Sequence, residues 1–138
     1  MWQPASPTSS GIPHFVYLLW GERPANETER ANMRAKLREG IEQGAFGLST
    51  GLDYPPACYA NTDELVELAQ EAGRHGGIYH THLRNKLGDQ FLDPVKEELE
   101  IGQRREIPCH LTCFCQKLIH SGSAKRFLGL VDGAVDQG

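Results

Sequence analysis

Residues 44–65, GAFGLSTGLDYPPACYANTDEL, pass from small and apolar side chains to a polar loop and then to the start of a helix. Ala45 to Leu48 run into Ser49, Thr50 and Gly51, a Pro55-Pro56 turn follows, and Asn61 stands as an N-cap with Glu64 three positions on. Strand, loop and helix in that order make a βα unit, whose loop is the usual seat of a site. The stretch predicts a strand over 45–49, and two further apolar strands follow at 77–83 (GIYHTHL) and 107–114 (IPCHLTCF). Their starts at 45, 77 and 107 lie 32 and 30 residues apart, the period of repeated βα units. That period favours a parallel sheet over a meander and predicts part of an α/β barrel.

Helical patterns fill the intervals. Over 27–43, Met33, Leu37 and Ile41 fall on one stripe and Gly44 ends the run at a position favouring a left-handed residue. From Asn61, the residues Leu65, Leu68, Ala69 and Ala72 form a buried face, and Gly76 stops that helix. Asp93-Pro94 opens a third helix to about Arg105, burying Val95, Leu99 and Gly102. A fourth begins at Ser123, with Phe127, Leu130, Val131 and Ala134 apolar. Residues 1–20 read as an irregular lead-in, within which Phe15 to Trp20 is either a short strand or a packed segment. Residues 21–138 then make about three parallel strands with their helices, under half of the eight strands and roughly 250 residues of a complete barrel. Three strands leave two open edges, through which copies of the chain can pair.

The balance of 14 basic and 18 acidic residues gives a net charge of −4, and no basic run exceeds two residues, so a nucleic-acid footprint is not expected. The longest apolar run, Phe15 to Trp20, is six residues and cannot span a bilayer. The N-terminus lacks the basic start and apolar core of a signal peptide. Four cysteines without secretory signals are expected to stay reduced, in the cytoplasm.

Parallel barrels present their working residues at the C-terminal ends of strands, here Ser49-Thr50, His82-Leu83-Arg84 and Thr112-Cys113. Alternation puts His80, His82 and Arg84 on one face of their strand, and Cys109, Leu111 and Cys113 on one face of the next. A His and a Cys at adjoining strand ends can both reach a metal, although 31 residues between His82 and Cys113 fit no short zinc motif. Cys113 is either such a ligand or a small core hydrophobe, as Cys109 and Cys115 read. His82 either lines the mouth or hydrogen-bonds a neighbouring loop. Arg84 either grips a substrate carboxylate with its fork or pairs with a loop acid. Tyr54 and Tyr59 line a pocket or cover the barrel end. His14, His75, His110 and His120 offer no partner in the sequence and read as structural or exposed. A metal module of Cys109, His110, Cys113 and Cys115 is disfavoured, because His110 has the opposite parity.

Taken together, residues 44–84 resemble the N-acyl-D-amino-acid deacylase (D-aminoacylase) family of the amidohydrolase superfamily. The family's G-A-x-G-x-S-T-G-x-x-Y-x-P loop matches Gly44 to Pro56, its T-E/D-E-L helix start matches Thr62 to Leu65, and its G-G-x-Y-x-T-H-x-R matches Gly76 to Arg84. A V-P-x-x-I-S-H-type strand corresponds to the end of Leu99 to Cys113, and Gly21, Arg23 and Met33 fall on an upstream G…R…M pattern. The resemblance implies a TIM-type (β/α)8 barrel, of which this chain looks like strands three to five. It also implies zinc-assisted hydrolysis of the N-acyl bond of an N-acyl-D-amino acid, with Tyr54, His82 and Arg84 lining the substrate site. Most of the family's metal ligands lie outside the chain, and at the strand-five histidine stands Cys113. A thiolate there gives the metal more charge than an imidazole and weakens its Lewis acidity. The chain carries no catalytic residue of its own on this reading and is expected to be inactive alone. A reading of another class is a non-catalytic half-barrel acting by oligomerisation or partner binding through its open edges.

Overall fold

The computed structural model describes residues 15–17, 22–86, 88–105, 107–112 and 123–136. In order along the chain come β1 (Phe15–Tyr17), α1 (Glu27–Glu42), β2 (Gly47–Gly51), α2 (Thr62–Arg74), β3 (Ile78–His82), α3 (Asp93–Arg105), β4 (Cys109–Thr112) and α4 (Ser123–Val135). The four strands form one parallel sheet in the order β1-β2-β3-β4. Strands that pair only with their predecessor, each reached through a helix, are the mark of a barrel wall rather than of a doubly wound sheet, whose order reverses. The fold is a partial TIM-type barrel. The three strands of the sequence period reappear as β2, β3 and β4, while β1 adds a strand inside the stretch read as a lead-in.

Local chemistry sets the helix ends. At α2 the Asn61 side chain accepts from the Glu64 N–H at 2.9 Å, and the Glu64 carboxylate accepts from the Asn61 N–H at 2.8 Å. Glu64 is only 1% exposed, and its other oxygen accepts from the Ala25 N–H, so one carboxylate caps α2 and pins the approach to α1. The same box recurs at α1 between Asn26 and Glu29. Gly44 and Gly76 hold the positive φ angles, 100° and 72°, that let the chain turn after α1 and α2.

Strand parity separates two faces. Leu48 and Tyr79, both 0% exposed, pack with Leu37 of α1 and Leu65, Leu68, Ala69 and Ala72 of α2. Ser49, His80, His82, His110 and Thr112 alternate with them and occupy the opposite, inner face. At its base β2 lies hard against β3: a Cβ on Gly47 would stand 2.0 Å from the Ile78 carbonyl oxygen.

Two expectations shift. The strand expected over 45–49 sits two residues later, because Gly44 and Ala45 complete the turn out of α1 through bonds to Ile41 and Gly40. On α3, Val95 is buried as expected and Glu98 and Ile101 are enclosed with it, whereas Gly102 is half-buried, as is Leu99 in a second cluster with Phe127, Leu130 and Val131. Gly102 lets Cys109 come close, its Sγ lying 3.0 Å from where a Cβ would be.

Candidate functional site

The inner-face mouth is built by the ends of β2, β3 and β4 and by the loop that leaves β2. The Leu52 N–H donates to the His82 carbonyl at 3.0 Å and the Asn85 N–H to Asp53 Oδ1 at 3.1 Å, which ties that loop to the end of β3. A turn of 3-10 helix at Ala57–Tyr59 then carries the chain to α2. Tyr54 is 57% exposed, and its ring lies 5.2 Å from the His82 ring at 49°. Tyr54 and His82, both expected at the mouth, are therefore brought together there. Tyr59 is exposed on the following turn.

Arg84 lies elsewhere. Its Nε donates to Glu97 Oε2 at 2.9 Å, its Nη1 to the Cys58 carbonyl at 2.8 Å, and its Nη2 to the Ala60 carbonyl. The Thr62 hydroxyl donates to the other Glu97 oxygen at 2.9 Å. Arg84 thus clamps the β2 loop to the first turn of α2 and to α3. Its fork is engaged by a helix carboxylate and two carbonyls. A cleft of about 360 Å³ opens beside this clamp, lined in part by Asn61, Lys86, Asp93 and Glu97.

On the helix side the sheet carries a closed polar cluster. The Thr50 hydroxyl bonds Tyr79 OH at 2.9 Å and Thr81 Oγ1 at 2.8 Å, with all three residues buried. Burial pushes the Tyr79 phenol and the Cys109 thiol well above their usual ranges, with the nearby Glu98 adding to both. Glu98 is 1% exposed, and its Oε1 has no hydrogen-bond partner among the described residues. Burial raises its carboxyl to about 8. Such a group is held as the neutral acid at neutral pH.

The inner face holds a feature absent from the sequence reading. His80 and His110 are register partners on β3 and β4, with Nδ1 atoms 3.1 Å apart and rings nearly perpendicular at 83°. Burial, and then the neighbouring His110, lower the pKa of His80. The signal lay in the strand period: 80 and 110 differ by the same 30 residues as the starts at 77 and 107. His75 faces Glu71 at 3.5 Å on α2.

Cys113 and Cys115, like His14 and His120, lie outside the described residues. Cys58 and Cys109 are free thiols. Cys109 and His110 point to opposite sides, Cys109 against the core and His110 toward His80. Among the described residues no three His, Cys, Asp or Glu side chains converge as a metal-binding group. These residues alone do not supply the donor set of the implied zinc. No helix among them is long and apolar enough to cross a membrane.

No protein-family profile matches the chain. It is 41% identical over 116 residues to an N-acyl-D-aspartate deacylase of Alcaligenes xylosoxydans xylosoxydans, a match that takes in 81% of this chain and 23% of that protein. The crystal structure of a D-aminoacylase said to define a novel subset of amidohydrolases superposes with a TM-score of 0.77 at 31% identity, over 83% of this chain and 24% of that one. The N-acyl-D-glutamate deacylase of Bordetella bronchiseptica, complexed with zinc and a phosphonate mimic of the tetrahedral intermediate, superposes at 0.73 with 29% identity, over 85% of this chain and 25% of that one. The chain spans about a quarter of the length of these relatives.

Proposed function

The chain belongs to the N-acyl-D-amino-acid deacylase (D-aminoacylase) family of amidohydrolases, and from that premise we propose that it forms one side of a barrel hydrolysing the N-acyl amide bond of N-acyl-D-amino acids. What carries this reading is the 41% identity to a deacylase over 116 residues, together with the fit of the same stretch onto a solved D-aminoacylase. On this reading β2, β3 and β4 answer to strands three to five of the family, within residues 21–138. The protein acts in the cytoplasm on a small N-acyl amino acid.

Each described residue then has a task short of catalysis. Tyr54 and His82 meet where substrate would enter, so the phenol and imidazole shape and orient it. Arg84 serves substrate binding through what it holds: with the Glu97 pair it fixes the loop that carries Tyr54. Cys113 is the position we assign to zinc. A bound zinc supplies Lewis acidity and a nucleophilic oxygen in this chemistry. One thiol is not a donor set, so the chain alone is inactive.

An assay of the isolated chain with zinc and N-acetyl-D-aspartate tests this, with no turnover expected. Turnover there would overturn the claim of inactivity. The same stretch grafted into a complete deacylase barrel should support hydrolysis, and Cys113→His in that setting should raise it. If the grafted barrel folds, binds zinc and stays inert with either residue, the substrate assignment fails.

A second reading, a non-catalytic half-barrel that pairs with another copy, is favoured by one feature. Among the described residues β1 and β4 each have a strand on one side only, which leaves a row of backbone donors and acceptors to be paired. Light scattering of the isolated chain separates the two, since a discrete folded dimer belongs to this second reading alone.

A further inference from the structure

The geometry points to a divalent transition-metal site formed by His80 and His110 on the inner face, separate from the zinc position assigned to Cys113 and independent of the deacylase reading. The two residues are direct register partners on adjacent parallel strands, so the sheet's hydrogen bonds fix their backbones relative to one another. Their Nδ1 atoms already stand 3.1 Å apart. Two nitrogens each roughly 2.0–2.1 Å from one zinc ion, at that separation, subtend an angle of about 100° at the metal. That value falls between the right angle of a tetragonal site and the tetrahedral angle. The pair therefore has the bite of a chelate before any ion arrives, and only the two rings need turn.

Accessibility agrees. His110 is exposed and His80 half-buried, so an ion can reach both and water can fill its remaining positions. Ser49 occupies the same row on β2, next to His80. The ligands are imidazole nitrogens, which suit zinc, nickel and copper, and an open two-nitrogen site should prefer copper(II) to zinc(II). Without metal, one ring's Nδ1–H donates to the other ring's lone pair. On binding, both Nδ1 lone pairs go to the ion and that proton moves through solvent to Nε2 of the same ring. A neutral pair thus gives up no net proton.

The test uses the full chain, freed of metal with a chelator and titrated with copper(II) and with zinc(II) separately. We expect one equivalent of each to bind, copper the tighter, with the His80 and His110 ring signals in the zinc NMR spectrum shifting and that of His75 unmoved. His80→Phe and His110→Phe should each lose the one-equivalent step, whereas Cys113→Ser should keep it. Retention in both histidine variants, or loss in Cys113→Ser, overturns the site. If a histidine variant fails to fold, the unaltered chain decides: His80 and His110 rings that do not shift at saturating zinc overturn it as well.

Discussion

Alternate residues of the same three strands live under opposite conditions. On the helix side Leu48, Tyr79 and Thr81 are sealed at 0% exposure, and even the hydroxyls of Thr50, Thr81 and Tyr79 satisfy one another. On the inner face, one residue along, stand His80, His82 and His110, with rings that solvent reaches. The first face spends its side chains on cohesion. The second keeps titratable groups in register and at hand. A barrel wall can therefore change its chemistry without touching what makes it fold, provided substitutions respect strand parity.

Substitutions graded by face would sharpen or break this division. The heaviest loss should come where the strands themselves meet: Gly47→Ala puts a Cβ 2.0 Å from the Ile78 carbonyl, and no side-chain motion relieves a backbone clash. It should abolish cooperative unfolding, read by circular dichroism. Next comes Glu98 on the helix side, whose carboxyl rises from 4.5 in the unfolded chain to about 8 in the fold. Between those values the folded state holds a proton that the unfolded state has released. The contribution of Glu98 to stability is thus full below about pH 4.5 and is lost as pH climbs toward 8, by on the order of 4 kcal/mol. Glu98→Gln should flatten that slope in urea melts taken from pH 5 to 8.

Leu65→Ala, also on the sealed side, should cost about 3 kcal/mol through the cavity it leaves, visible as a lower urea midpoint. Thr50→Val removes the hydroxyl shared by Tyr79 and Thr81 and should cost about 1–2 kcal/mol in the same measurement. Smallest of all, His110→Ala on the inner face should change stability by less than about 0.5 kcal/mol. A large loss there, or a small one at Leu65, would break the division between the faces.

How far the chain could be read before folding follows the same line. The helix start at Asn61 was legible because capping is local chemistry, and the α2 stripe of Leu65, Leu68, Ala69 and Ala72 is buried as its spacing indicates. The parallel sheet was legible in the regular period. Glu98 was not, because a carboxylate on a helix reads as a solvated face until α3 packs on the sheet beside Tyr79 and Cys109. The His80–His110 contact is hidden for a related reason: only inter-strand register shows that the two histidines meet. Arg84 was legible as either a substrate grip or an internal ion pair. A fork suited to a carboxylate does meet one, but it is Glu97 of its own chain.

The consecutive strand order bears on how the chain is made. Since β2 pairs with β1, β3 with β2 and β4 with β3, each strand finds its neighbour already synthesised when it leaves the ribosome, with nothing to be threaded between earlier elements. Assembly can advance unit by unit, and the exposed growing edge is always the newest strand.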